Sequence, residues 1–83
     1  MKTYVITAEV KGDDHYLPYR MPDWFNPLEM RYVFRLLDDD GEVLYYGLSN
    51  DPSSFDAQDD YGAYAGSTAT QYFNHITSEW ETL

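Results

Sequence analysis

The sequence predicts a small α+β domain: an antiparallel β-sheet with a central hairpin, one short helix, and a C-terminal helix or fourth strand. Three observations predict it. Apolar residues alternate over Thr3–Val10 and again over Met30–Leu36, Asp38-Asp39-Asp40-Gly41 supplies a turn between two β-rich runs, and Asn50-Asp51-Pro52 has the character of a helix start. With 83 residues the chain has surface for one hydrophobic core, so 1–83 reads as a single acidic globular domain. Hydrophobic residues make up 43% and aromatic residues 18%, well above the apolar poverty that keeps acidic chains disordered, so a folded state is expected. Cysteine is absent, which leaves aromatic packing in place of disulfides or thiolate metal sites.

Taken in order, Tyr4, Ile6, Ala8 and Val10 alternate against Val5, Thr7 and Glu9, the period of a half-buried strand. Positions 11–27 hold Gly12, Pro18, Pro22 and Pro27, which forbid a continuous ladder or helix, together with Tyr16, Leu17, Tyr19, Met21, Trp24 and Phe25; this reads as a loop that must pack. Met30, Tyr32, Phe34 and Leu36 share one face of a second strand, with Arg31, Val33 and Arg35 on the other. Glycine at position 41 can take positive φ, and Glu42–Leu48 resumes as the return strand of a hairpin. Ser53–Asp60 is expected as a short helix before Gly62, and Tyr61–Gly66 as a small-residue loop holding partly exposed tyrosines. In the last segment Ala69, Tyr72, Phe73, Ile76, Trp80 and Leu83 fit a helical stripe, and Thr68–Gln71 has capping-box spacing. Thr68, Thr70, Tyr72, Phe73, Ile76 and Thr77 suit a strand instead, so both assignments stay open.

The formal net charge is −10, and it is one-sided along the chain. Lys2, Lys11, Arg20, Arg31 and Arg35 are balanced by Glu9, Asp13, Asp14, Asp23 and Glu29. From Leu36 onward there is no Lys or Arg, while Asp38, Asp39, Asp40, Glu42, Asp51, Asp56, Asp59, Asp60, Glu79 and Glu81 carry the excess. Such a surface repels nucleic acid and anionic membranes and attracts a basic protein, with steering that weakens as salt rises. The N-terminal stretch lacks the apolar run and cleavage site of a signal peptide, and no segment reaches a membrane-spanning length, so a cytoplasmic location is expected.

Catalysis finds little support. His15 beside Asp13 and Asp14, and His75 four residues before Glu79, are the histidine–carboxylate groupings, and neither comes with a nucleophile or second base; no enzymatic role is expected. Asp38–Glu42 is rich in oxygen ligands but lacks the alternating spacing and terminal bidentate carboxylate of a calcium loop, so no metal and no cofactor is expected. The acidic face is the remaining signal. Carboxylates four apart on a helix, as Asp56 and Asp60 would be, lie about 6 Å apart, the scale of successive phosphates on a nucleic-acid strand. Asp38, Asp40 and Glu42 could approximate the same repeat on an extended hairpin. Tyr61 and Tyr64 adjoin the row, and tyrosine offers rigid contact area on which arginine stacks.

In its shortness, lack of cysteine, basic-free second half, DDDGE turn and DAQDDYGAY segment, the chain resembles the small acidic counter-defence proteins of phages and plasmids that imitate DNA, anti-CRISPR and anti-restriction proteins among them. These share no common fold, so the resemblance transfers no residue. It implies a stoichiometric inhibitor in the host bacterial cytoplasm that occupies the nucleic-acid site of a basic DNA- or RNA-binding protein, a CRISPR effector or a restriction enzyme. The expected contacts are Asp38, Asp39, Asp40, Glu42, Asp51, Asp56, Asp59, Asp60, Tyr61 and Tyr64. The alternative is a protein-interaction module that binds through the aromatic segment 16–25, with Trp24 and Phe25 as anchors and the acidity serving solubility.

Overall fold

The computed structural model describes residues 3–12 and 15–83, with Tyr64 described by its backbone alone. Six strands and one helix follow in the order β1 (Tyr4–Gly12), β2 (His15–Pro18), β3 (Tyr32–Leu37), β4 (Val43–Ser49), α1 (Asp56–Ala65), β5 (Ala69–Asn74) and β6 (Glu79–Thr82). The strands form one antiparallel sheet in the order β2-β1-β4-β3-β5-β6. The expected α+β class is therefore corrected: the fold is close to all-β, a single sheet with one short helix laid on it.

The β3–β4 hairpin forms where its turn chemistry lies. Asp38 turns its own carboxylate back on the loop and accepts from the amides of Asp40 (2.9 Å) and Glu42 (3.0 Å), while Gly41 takes φ 79°. In β1 the alternation read from the sequence breaks. The register shifts between Ile6 and Ala8, so a bulge at Thr7 leaves Tyr4 and Ile6 on the helix side and sends Ala8 and Val10 to the other side. Part of the expected loop 11–27 is strand β2, paired with β1 through Glu9↔Leu17 and Val10↔Tyr16.

The helix starts later and ends later than its sequence signals. Asp51 does not cap it; its carboxylate accepts from the amide and hydroxyl of Ser53, each at 2.9 Å, and closes a turn before the helix begins. Gly62, Ala63 and Ala65 continue the helix, which stops at Gly66 in the left-handed conformation (φ 75°). The expected loop over Tyr61–Gly66 is thus helical through Ala65. The C-terminal segment is neither a helix nor a single strand but the hairpin β5–β6. Asn74 accepts from the amides of Ile76 (2.9 Å) and Thr77 (3.3 Å) and reverses the chain, leaving Ile76, a member of the helical stripe, 96% exposed.

The core lies between the sheet and α1. Ile6, Phe34, Leu36, Ala57 and Tyr72 are buried there, with Tyr4, Tyr32, Tyr45 and Tyr61 packed around them. Full burial of an aromatic such as Phe34 stabilises by about 1.5–3 kcal/mol. Polar contacts then fix the helix on the sheet: Thr3 donates to Asp56 (2.6 Å), Tyr4 to Asp60 (2.6 Å), Thr70 to Gln58 (2.7 Å), and Tyr72 to the Ser54 carbonyl (2.9 Å).

Candidate protein-binding surfaces

Pleating decides where each carboxylate points, because successive side chains of a strand leave opposite faces. Tyr72 faces the helix side, and it pairs with Glu81, as Asn74 pairs with Glu79; both glutamates therefore stand on the helix side of β6. Glu9 pairs with Tyr45, another helix-side residue, and joins them. On α1, Ala57 and Tyr61 turn inward, which aims Asp59 outward, with Asp56 and Asp60 exposed beside β1. Every strand carboxylate thus lies on the same side of the sheet as the helix carboxylates.

The expected row is only partly assembled. Asp51, Asp56, Asp59 and Asp60 follow one another from the end of β4 along α1, and Asp56 and Asp60 are about 6 Å apart along the axis. Each gives one oxygen to the hydroxyl of Thr3 or Tyr4 and remains exposed. Asp38, Asp39, Asp40 and Glu42 sit at the opposite end of β4, about 20 Å away at about 3.3 Å per residue. They do not form the extended repeat expected of Asp38, Asp40 and Glu42, because positions 38–41 are a tight turn and Asp38 points into it. Asp39, Asp40 and Glu42 are exposed. Tyr61 is half-buried and packs on Tyr45 at 4.7 Å between ring centroids, so it is a core-edge residue under the helix; the side chain of Tyr64 lies outside the described residues.

Local interactions favour the charged form of Glu9 and Asp51 and engage Lys11, Arg31 and Arg35. Lys11 at 3.1 Å and the Tyr19 hydroxyl at 2.9 Å hold the Glu9 carboxyl below the usual carboxylate range. The Ser53 amide and hydroxyl do the same for Asp51. Arg35 lies 4.1 Å over the Trp80 ring and donates to Gln71 at 2.7 Å, and Arg31 stacks on Tyr32. His15 is exposed at the start of β2, and its neighbours Asp13 and Asp14 lie outside the described residues. His75 is exposed with its ring edge on Phe73. No group of three metal-ligating side chains occurs among the described residues, nor any helix long and apolar enough to cross a membrane.

Two aromatic surfaces complete the picture. Trp24 is 48% exposed and Phe25 half-buried, and Trp24 joins Tyr4, Tyr19, Arg20, Pro22 and Tyr61 around a shallow groove. Sequence reasoning missed the other one, the sheet face turned away from α1. There Tyr46, Phe73 and Trp80 form a half-exposed cluster that the exposed Tyr16 extends, with ring centroids 5.2–6.2 Å apart. The signal was the alternation itself, Gln71 and Phe73 against Thr70 and Tyr72, which becomes readable only once 69–74 is known to be a strand. What fold and surface define is a class: a small antiparallel sheet carrying one helix, acidic on the helix side and aromatic on the other. Comparison with protein families, with curated proteins and with solved structures finds no match to this chain.

Proposed function

We propose that this protein is a non-catalytic inhibitor that binds a basic, nucleic-acid-binding bacterial protein through its helix side, taking the place of the nucleic acid. The reading rests on the segregation of charge by the sheet. Glu9, Glu79 and Glu81 from three strands and Asp56, Asp59 and Asp60 from α1 stand on one side, and the strand positions of the opposite side carry no carboxylate. A predominantly acidic face of this kind, on which Lys11 is paired with Glu9, steers a cationic groove and excludes nucleic acid from it. A CRISPR effector or a restriction enzyme in the bacterial cytoplasm is the kind of target that the resemblance to acidic counter-defence proteins implies.

The experiment is capture from a bacterial lysate on the immobilised protein at low salt, followed by DNA-binding assays on each retained protein with and without stoichiometric inhibitor. Retained proteins should be displaced by DNA and by salt. Converting Asp56, Asp59 and Asp60 to asparagine should abolish retention, because it removes three charges while the amide oxygens keep accepting from Thr3 and Tyr4. Retention that survives this triple and ignores DNA would refute the reading. The half-exposed Trp24 supports one rival, docking through segment 16–25; Trp24→Ala with Phe25→Ala would then abolish capture and the aspartate triple would not.

A further inference from the structure

The two edges of the sheet are unlike. β2 ends the sheet on one side, and Pro18 interrupts its outward row of donors. β6 ends it on the other and contains no proline. The Leu83 amide donates to the Thr70 carbonyl at 3.0 Å, and Gln71 pairs with Thr82, which fixes the phase of the ladder. By the alternation of antiparallel pairs, Glu81 and Glu79 exchange hydrogen bonds with β5, whereas the N–H and C=O groups of Trp80 and Thr82 point away from it. These outward groups have no hydrogen-bond partner among the described residues.

Side-chain chemistry then selects what can pair with that edge. Both glutamates face the helix side and both are exposed, so a strand added to β6 places alternate residues beside them, with opposed Cβ atoms about 4.5–5.5 Å apart. A second copy pairing edge to edge, with its helix on the same side, would set glutamate against glutamate and is disfavoured. On the opposite face Trp80 offers an apolar surface to the remaining residues. The geometry points to β6 as a docking edge for an extended basic segment of a partner protein, Lys or Arg alternating with apolar residues, added to the sheet as a seventh strand. This inference does not rest on the α1 carboxylates.

The test uses the whole protein and two synthetic peptides, one alternating lysine with valine and one alternating glutamate with valine. Amide hydrogen exchange and NMR shifts report the edge directly. The lysine peptide should bind and protect the Trp80 and Thr82 amides, and the glutamate peptide should not bind. Thr82→Pro removes an outward N–H and leaves the β5–β6 backbone bonds in place, losing between the two strands only the hydrogen bond that the Gln71 side-chain amide donates to the Thr82 hydroxyl at 3.0 Å, so it should preserve the fold and weaken the lysine peptide roughly tenfold. Glu79→Lys with Glu81→Lys should exchange the preference between the peptides. The Asp56, Asp59 and Asp60 triple should leave peptide binding within about twofold, which separates this edge from the α1 part of the proposed inhibitory face, with which it shares a side of the sheet. Binding that leaves the Trp80 and Thr82 amides unprotected, or that Thr82→Pro does not weaken, would overturn the inference. So would concentration-dependent dimerisation that protects the same amides without peptide.

Discussion

Replacing Gly47 with alanine should be among the most damaging single-methyl changes in this protein. Gly47 lies in β4, opposite Ile6 on one side and Phe34 on the other, and it is buried. A Cβ there would meet Cζ of Phe34, lie 2.6 Å from Phe34 Cε1, and lie 2.6 Å from the carbonyl oxygen of Val5. The ring is fully buried in the core and the oxygen belongs to the backbone of a neighbouring strand, so neither can yield cheaply. Overpacking of this kind costs about 1–3 kcal/mol. The usual gain from removing glycine's freedom in the unfolded chain offsets about 0.4–1 kcal/mol. The backbone contact places the net cost near the top of the remaining interval, about 2 kcal/mol, which for a domain of this size lowers Tm by about 8–16 °C. Thermal melts followed by circular dichroism, with urea titration at 25 °C, measure both quantities. A double-mutant cycle with Phe34→Leu should show coupling of about 0.5–1 kcal/mol, since a smaller side chain relieves the ring contact and leaves the Val5 contact in place. A Gly47→Ala protein that melts at or above the wild-type temperature would refute the close approach on which this reasoning stands.

Three further outcomes test other parts of the structure. Burial raises the Tyr72 phenol above the ordinary tyrosine value, so above about pH 10 the unfolded state ionises first and stability falls as pH rises; Tyr72→Phe should shrink that alkaline loss in urea titrations. The Ser53 contacts lower the Asp51 carboxyl, so its contribution is present above about pH 4 and is lost as pH falls through the lower folded value. Asp51→Asn should flatten that part of the acid limb, and an unchanged limb would show that the turn does not depend on the charge. Gly66 ends α1 at φ 75°, and Gly66→Ala should cost about 1 kcal/mol in chemical denaturation, with the loss disappearing in Gly66→Asn if left-handed backbone is the cause.

The sequence by itself determined what depends on neighbours along the chain. Alternation marked β1 and β3, the Asp38–Gly41 turn marked the hairpin, and the absence of Lys and Arg after position 35 marked an acidic molecule. Only the tertiary structure decided the rest. The bulge at Thr7 exchanges the faces of Ala8 and Val10, and periodicity cannot reveal it because a bulge is set by the twist and fit of the partner strand. The stripe Ala69, Tyr72, Phe73, Ile76, Trp80 and Leu83 suits a helix locally. Pairing of β5 with β3 and burial of Tyr72 beside Phe34 override it, because intrinsic preference is worth a fraction of what packing contributes. The acidic residues were all visible, yet which of them share a surface was not: Asp38 and Asp56 are parted by the length of β4, while Glu79 and Asp59 are brought to one side. Side-chain direction on a strand is a property of register, and register is fixed by contacts between residues far apart in the chain.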